Sequence, residues 1–380
     1  MKEIFKTVDS LKEEYVSFWE KFCNIESPTD YKEGVDRAGQ YVIDKARMLG
    51  FDVEICEQEV SGNAVCITMN RDSMGAPVCL SGHLDTVHPL GSFGSPAVRI
   101  EGDIIYGPGV MDCKGGIVAS LMAMHALSLN GYNERPVKLI LQSDEETSSK
   151  GSNKETVRFM AEKARGSIAF INCEGERSGG MVLIRKGILR YKFTVTGKAV
   201  HASAATSGVN AIAEAALKIT ELERFKDNEG ITSNCGIIRG GTAENTVPEE
   251  CVFSYDFRFK NRKQYNIIKQ AVKEVSEKSF ISGSSCRVVL QSERVAMEEC
   301  DRNIALYERI EDILMNNGFK KMGRTFSGGG SDAADMTYYG IPAVDGLGVI
   351  GADLHSLNER ADISSLCPAA KRLAAITVQL

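Results

Sequence analysis

Apolar residues over the first 171 positions alternate between short continuous runs and helical stripes. The runs predict β-strands and the stripes predict helices. Strands are expected at 51–55, 63–69, 77–80, 104–106, 137–142 and 168–171, and helices within the first 22 residues, at 32–49 and at 117–129. Apolar strands that alternate with helices indicate an α/β fold with a mostly parallel central sheet buried on both faces.

The pattern changes after Arg185-Lys186-Gly187, where strict alternation replaces the continuous runs. In the segment 252–260, four aromatic residues fall on one face and Ser254, Asp256 and Arg258 fall on the other. Residues 187–295 follow the order strand, helix, strand, strand, helix, strand, which predicts an inserted α+β domain of ferredoxin-like type. The first domain would then be discontinuous, formed by 1–186 and 296–380.

Composition narrows the class of protein. A chain of 380 residues is long enough for two domains, and its net charge of −6 argues against a nucleic-acid partner or an anionic membrane surface. No apolar run reaches the length of a membrane-spanning helix, and no signal-peptide core is recognisable. The 11 cysteines are scattered without a C-x-x-C pair. We therefore expect reduced thiols in a cytoplasmic protein.

Polar residues follow the predicted strands at their carboxyl ends, where active sites of parallel sheets lie. His83 and Asp85 come directly after the strand at 77–80, and two residues apart in extended backbone they project to the same side. The imidazole could ligate a metal while the carboxylate fixes its tautomer. A turn capped by Asp85 is the structural alternative.

Further carboxylates stand at comparable positions. Asp112 precedes the helix at 117–129 and would either cap that helix or bind a cation. The consecutive acids Asp144, Glu145 and Glu146 repel one another unless solvent or a cation relieves them, which allows a solvated loop or a site. In a site, one acid would bind metal and its neighbour would serve as general base. Glu174 is another hard oxygen ligand.

The chain has only 5 histidines. His125 lies in a helical segment and is expected to pack, and His88 is expected to be an ordinary loop residue. His355 lies in a late loop of sequence LHSLNE. His355 alone is weak evidence for a metal site, and it becomes strong evidence only together with other metal-ligating residues.

The succession GHLDTV, GVMDCKGG, DEE, CEG and LHSLNE resembles the M20 metallopeptidases, a family with glutamate carboxypeptidases, acetylornithine deacetylases, succinyl-diaminopimelate desuccinylases and aminoacylases. The resemblance covers essentially the whole chain, including TGKAVHAS and AENTVP in the inserted domain. It implies two zinc ions per chain, although cobalt or manganese would suit the same ligands. His83 and Glu174 would hold one ion, Glu146 and His355 the other, and Asp112 would bridge them. Asp85 would orient His83, and Glu145 would be the general acid/base.

The resemblance also implies residues that contact substrate. His201 matches a family histidine that helps bind the developing oxyanion, in relatives across a dimer interface, and Asn245 matches a substrate-contacting position. Arg258 could pair with a substrate carboxylate or, structurally, with Asp256 or Glu250. In the glycine-rich segment before a short helix, Gly329, Gly330 and Ser331 would receive the substrate carboxylate, with a plain turn as the alternative.

The sequence thus predicts a di-zinc amidohydrolase that cleaves an amide beside a free α-carboxylate in a small peptide or N-acyl amino acid. It is expected to be most like a glutamate carboxypeptidase, with an N-acyl-amino-acid deacylase as the alternative. An aminopeptidase or dipeptidase and a catalytically silent binding protein are the weaker alternatives. A homodimer formed through the inserted domain is expected.

Overall fold

The computed structural model describes residues 1–176, 179–226 and 229–380. The α-helices are α1 (Lys2–Ser10), α2 (Lys12–Cys23), α3 (Lys32–Met48), α4 (Lys114–Leu129), α5 (Glu155–Lys163), α6 (Ala211–Glu223), α7 (Arg262–Glu277), α8 (Asp301–Asn316), α9 (Asp332–Tyr338) and α10 (Leu366–Gln379). The strands are β1 (Asp52–Cys56), β2 (Ala64–Met69), β3 (Val78–His83), β4 (Arg99–Glu101), β5 (Ile104–Tyr106), β6 (Val137–Gln142), β7 (Ala169–Asn172), β8 (Gly180–Arg185), β9 (Gly187–Thr196), β10 (Thr232–Gly240), β11 (Glu250–Phe259), β12 (Ser285–Arg294), β13 (Gly323–Ser327), β14 (Ala343–Asp345), β15 (Gly351–Ala352) and β16 (Arg360–Asp362).

The chain divides into two compact units. The first contains Met1–Leu183, Glu299–Phe326 and Ser331–Leu380, and the second contains Ile184–Glu298 and Ser327–Gly330. The second unit therefore includes a short late segment, 327–330, that the sequence pattern of 187–295 does not include.

The large sheet has the strand order β1-β2-β6-β3-β7-β14-β8-β13. Its centre is parallel, because β3 pairs in parallel with β6 and β7, and β14 pairs in parallel with β7. Antiparallel pairs flank this centre at β1–β2, β2–β6 and β14–β8. All residues of β2 and β3 are buried, as expected for strands covered on both faces. The predicted α/β class is confirmed.

Two glycines allow α4 to lie directly against this sheet. A Cβ atom on Gly116 would stand 1.8 Å from the main-chain oxygen of Cys173, just beyond the end of β7. A Cβ atom on Gly115 would stand 2.4 Å from the carbonyl oxygen of Val110. Any larger residue would push the helix away from the strand ends, so the Lys-Gly-Gly sequence fixes the start of α4 beside them.

A small sheet of order β15-β16-β5-β4 holds two loops of the first unit together. Arg360 of β16 pairs with Tyr106 of β5, which places the segments 107–113 and 353–359 side by side. The main-chain N–H of Gly107 also donates to the carbonyl oxygen of Glu359 (3.2 Å).

The second unit contains an antiparallel sheet of order β10-β11-β9-β12. Its elements follow in the predicted order β9, α6, β10, β11, α7, β12. The predicted aromatic face of β11 is the buried one, and Phe253 stacks on Phe193 of β9 with ring centroids 4.6 Å apart. This unit has its own apolar core beneath α6 and α7.

The first 22 residues were predicted to form one helix, but the structure has two helices there. These are α1 and α2, which meet at Leu11, where the N–H group bonds to the carbonyl oxygens of both Thr7 and Val8. The apolar periodicity continues through the junction, so the sequence pattern hides the break. Among the described residues, no helix is long and apolar enough to cross a membrane.

Candidate metal centre and active site

Asp112 lies between two histidines in the first unit. Its Oδ1 atom is 3.2 Å from Nε2 of His83, and its Oδ2 atom is 3.1 Å from Nε2 of His355. His83 ends β3, whereas His355 lies in the loop between β15 and β16 with a left-handed backbone (φ 59°). One carboxylate thus faces two imidazoles that are far apart in the sequence.

Each imidazole also faces a glutamate. Nε2 of His83 is 3.7 Å from Oε1 of Glu174, and Nε2 of His355 is 3.4 Å from Oε2 of Glu146. The five predicted metal ligands therefore lie together as two His/Glu pairs that share Asp112. We call this group the His/carboxylate cluster.

The cluster has the chemistry and spacing that divalent metal ions need. Nitrogen and oxygen ligands at about 2.0–2.2 Å from a tetrahedral zinc ion are separated from one another by roughly 3.3–3.6 Å. The contacts of 3.1–3.7 Å around Asp112 are close to that separation. Ligand atoms of His83, Asp112 and Glu146 all lie within 4.8 Å of one another. The residues thus fit a pair of ions bridged by Asp112.

The metal-free cluster retains protons. Hydrogen bonds with Asp112 and Glu146 raise the pKa of His355 to about 10. Burial, and then the charge of Asp112, raises the pKa of Glu146 to about 8. Burial opposes ionisation of Asp112, yet hydrogen bonds from His355 and His83 hold its pKa well below the usual range. The excess of carboxylates therefore attracts positive charge, supplied by protons when no metal ion is bound.

Asp85 supports both His83 and the acidic loop. Nδ1 of His83 donates to the main-chain carbonyl of Asp85 (2.9 Å), which directs Nε2 at the cluster. The Asp85 carboxylate accepts the N–H groups of Glu145 (3.1 Å) and Glu146 (3.1 Å) and the hydroxyl of Thr29 (2.7 Å). It therefore fixes two neighbouring acids by their backbone, a role beyond the predicted orientation of the imidazole.

The three consecutive acids occupy three different environments. Asp144 turns away and accepts hydrogen bonds from the N–H of Ser152 (2.8 Å) and the hydroxyl of Thr156 (2.9 Å). Glu145 is buried in a short 3-10 helix, and Glu146 reaches His355. Asp144 is thus separated from the other two acids, whereas the charge of Glu145 still contributes to the raised pKa of Glu146. Asp144 and Glu145 are buried, so the acids do not form a solvated loop.

Two structural alternatives from the sequence can be compared with the geometry. Asp112 does not cap α4, because the cap position is Cys113 and no side chain there bonds to the helix. His125 packs against Tyr15, with Nδ1 3.1 Å from the hydroxyl, as expected.

Cys113 contacts a predicted metal ligand, although the sequence analysis does not name it. Its Sγ atom accepts the N–H of His83 (3.0 Å). Its position beside Asp112 is the only signal in the sequence.

His88 lies in a loop, as expected, but the sequence gives no sign of the partner that its side chain contacts. The imidazole is buried, and its Nε2 lies 2.9 Å from Oε2 of Glu359, also buried. Glu359 belongs to the LHSLNE segment, but nothing in that segment indicates a partner 271 residues earlier.

His201 and Asn245 lie in the second unit. Nδ1 of His201 is 2.8 Å from the hydroxyl of Ser203, and the imidazole is exposed. The carbonyl oxygen of Asn245 accepts the N–H of Ala202 (2.9 Å), so the two predicted segments are neighbours. Their assignment to substrate stays a prediction.

Arg258 also lies in the second unit and pairs with Asp256. Its Nε atom is 2.6 Å from Oδ1 and its Nη2 atom is 3.1 Å from Oδ2. Asp256 in addition accepts Nε of Arg190 (2.9 Å). The structure thus shows the predicted structural pair with Asp256, and the substrate contact remains a prediction.

The glycine-rich segment is divided between the two units. In the second, Nη1 of Arg185 donates to the carbonyl oxygen of Gly330 (3.2 Å), and a Cβ atom on Gly329 would stand 4.0 Å from this nitrogen. A Cβ atom on Gly330 would stand 2.5 Å from Cδ of Arg294, so a larger residue there would displace the arginine side chain. In the first unit, the buried hydroxyl of Ser331 donates to Asp345.

Comparison with known proteins identifies the family of this chain. The family described as "Peptidase family M20/M25/M40" matches residues 79–379. Carboxypeptidase G2 of Pseudomonas sp. (strain RS-16) is 28% identical over 356 residues, covering 91% of this chain and 84% of that protein. Succinyl-diaminopimelate desuccinylase of Alkalilimnicola ehrlichii is 26% identical over 348 residues, covering 86% of this chain and 90% of that protein.

A solved structure has the same fold. The tripeptidase SAV1512 of Staphylococcus aureus superposes with a TM-score of 0.78 at 23% identity, covering 96% of this chain and 97% of the other. The fold and the His/carboxylate cluster define a metal-dependent hydrolase. The chain belongs to the M20/M25/M40 peptidase family.

Proposed function

We propose that this protein is a two-metal amidohydrolase that cleaves the amide bond next to a free α-carboxylate, most like a glutamate carboxypeptidase. The observation that carries the proposal is the position of Asp112, within 3.2 Å of two histidines that each face a glutamate. The likeness to carboxypeptidase G2 over 91% of the chain supports the carboxypeptidase activity.

The residues would divide the work as follows. His83 and Glu174 would hold one zinc ion, Glu146 and His355 the other, and Asp112 both. Bound zinc polarises a carbonyl and makes water a better nucleophile near neutral pH. Glu145, buried and fixed through its N–H to Asp85 (3.1 Å), would take the proton of the attacking water and deliver it to the leaving nitrogen. Asp85 keeps Nδ1 of His83 protonated and Nε2 directed at the cluster.

The test combines metal analysis with hydrolysis of a substrate panel by the wild type and by Glu145→Gln. We expect two metal ions per chain in both proteins. Activity should fall by roughly 10²- to 10⁴-fold in the variant because a general base contributes about that much. Glu155→Gln, an exposed acid ten residues along the chain, is the matched control and should keep full activity.

The panel also separates the candidate substrates. Faster hydrolysis of acyl-glutamate or peptidyl-glutamate than of acetylornithine or succinyl-diaminopimelate would support the carboxypeptidase assignment. The reverse ranking would favour the deacylase alternative, which is supported by the similarity to the desuccinylase. A wild-type protein that binds no zinc, cobalt or manganese would contradict the two-metal centre itself.

We also propose a homodimer formed through the second unit, with His201 acting in the partner's site. Edge strand β10 supports this, because it presents the exposed side chains Ile237 and Ile238 beside an unpaired strand edge. Inactive His201→Ala and Glu145→Ala subunits should regain part of the activity when mixed. Mixed dimers that stay inactive would count against shared sites.

A further inference from the structure

Glu359 gathers four hydrogen-bond donors around one buried carboxylate. Its Oε1 atom accepts the main-chain N–H groups of Met111 (3.0 Å) and Asp112 (3.0 Å). Its Oε2 atom accepts the N–H of Gly109 (3.2 Å) and lies 2.9 Å from Nε2 of His88. The side chain of Glu359 is 1% exposed, so the carboxylate is shielded from bulk solvent. We call this arrangement the Glu359 clamp.

The clamp joins three segments that carry parts of the His/carboxylate cluster. Glu359 follows His355 by four residues, and its carboxylate holds two successive peptide N–H groups, those of Met111 and Asp112. His88 extends the connection to the segment that begins at His83. Glu359 bonds to the main chain of the loop 109–112 and to His88, whereas the imidazoles of His83 and His355 face the Asp112 side chain.

We infer that Glu359 and His88 are positioning residues that set the place of the Asp112 carboxylate between the two metal ions. Groups behind a metal ligand orient it, and the main-chain hydrogen bonds from Met111 and Asp112 to Glu359 would restrain the backbone that carries the Asp112 carboxylate. The inference rests on the two-metal centre proposed above. It adds Glu359 and His88 to the residues that support the metal ligands.

The donor pattern makes the carboxylate specific to this role. Each oxygen of Glu359 accepts from two donors, so glutamine would place its NH₂ group against at least one main-chain N–H donor in either orientation. Glu359→Gln should therefore disturb the loop despite its equal size. His88 needs only to donate, because the carboxylate can only accept. His88→Gln retains a donor, whereas His88→Leu removes it.

The experiment measures zinc affinity by competition with a chelator and records the visible absorption spectrum of the cobalt-loaded protein. We expect Glu359→Gln to weaken zinc binding roughly tenfold to a hundredfold, as other partners behind metal ligands do, and to shift the cobalt bands. His88→Leu should change both readings in the same direction. His88→Gln should restore them towards the wild type.

Glu214→Gln is the matched control for lost stability. Glu214 is equally buried and accepts the N–H groups of Phe280 (3.2 Å) and Ile281 (2.7 Å), but it lies in the second unit. The Glu214→Gln substitution should lower Tm without altering zinc affinity or the cobalt spectrum. If Glu359→Gln behaves like Glu214→Gln, the clamp is only structural and the inference is overturned. Equal zinc affinities for His88→Leu and the wild type would overturn the part assigned to His88.

Metal binding by the wild-type protein distinguishes a failure of this inference from a failure of the proposed function. Wild-type protein that binds no metal would overturn the metal centre, and the clamp with it. Two tightly bound ions in the wild type, with the same affinity in Glu359→Gln, would overturn the clamp alone and leave the proposed hydrolase intact.

Discussion

Each unit of the molecule buries charged side chains, but the two units compensate the charge differently. In the second unit, Glu214 and Lys218 form an ion pair (3.1 Å) in which both side chains are at most 1% exposed. Lys218 also donates to the carbonyl oxygen of Val275 (2.7 Å), and Glu214 accepts the N–H of Ile281 (2.7 Å). This pair is neutral and satisfied by its own surroundings.

The first unit instead collects an excess of acids. Among the described residues, Asp112, Glu146 and Glu174 lie within 3.7 Å of two imidazoles, and a carboxylate oxygen of Asp85 lies 3.4 Å from Nδ1 of His83. These four carboxylates outnumber the two imidazoles, which favours additional protons or cations. The comparison teaches that a buried ion pair does not by itself indicate a functional site, whereas an excess of buried charge of one sign does indicate one.

The largest expected effect concerns the compensated pair. Lys218→Met should lower the free energy of unfolding by about 3–5 kcal/mol because it leaves the buried Glu214 carboxylate without its cation. Chemical denaturation measures this change. Zinc content should stay at the wild-type value.

The control replaces both partners by apolar residues. Glu214→Leu combined with Lys218→Met should recover most of the lost stability, since removal of a whole buried pair is often neutral. A single variant as stable as the wild type would show that the pair is not compensating a buried charge.

A smaller effect should distinguish the first unit by pH. In the metal-free protein the folded-state pKa of Glu146 is raised from 4.5 to about 8 and that of His355 from 6.5 to about 10. A raised folded-state pKa stabilises below the unfolded value, and this stability is lost as pH rises through the folded value. Chelator-treated protein should therefore lose stability from about pH 4.5 to pH 8 as Glu146 ionises, by up to about 1.4 kcal/mol per pH unit. The half-exposed His355 should add a smaller loss, reduced by solvent screening, from about pH 6.5 to pH 10.

Zinc-loaded protein and metal-free Glu146→Gln sharpen this test. Both should show a shallower dependence on pH over the same range, because the glutamate no longer exchanges a proton. Asp112 acts in the opposite sense, as its pKa is depressed, but its contribution is lost only at pH below the usual aspartate range. Equal slopes with and without metal would contradict the account of an acid-rich cluster.

The smallest expected effect concerns Arg258. Its pair with Asp256 is about a quarter exposed, so Arg258→Ala should change the free energy of unfolding by less than about 1 kcal/mol. If Arg258 also binds a substrate carboxylate, KM should rise while Asp256→Asn leaves KM unchanged. Unchanged KM in both variants would leave only the structural pair.

The sequence alone predicted the fold class and, through motifs that resemble the M20 family, the family and the five residues of the His/carboxylate cluster. His83 ends a buried strand, Glu146 and Glu174 follow two others, and parallel strands bring such ends to one edge. The order of the second unit's elements and the aromatic face of β11 also follow from alternation. These features are local or periodic, so a pattern of side chains encodes them directly.

Only the tertiary structure decided how neighbouring acids divide their roles. Asp144, Glu145 and Glu146 are consecutive, yet one anchors a loop through Ser152, one is held by Asp85, and one reaches His355. The contact between His88 and Glu359 joins residues 271 positions apart. Such partners are chosen by how loops pack against one another, which depends on the whole chain, and no local pattern of polar residues carries that information.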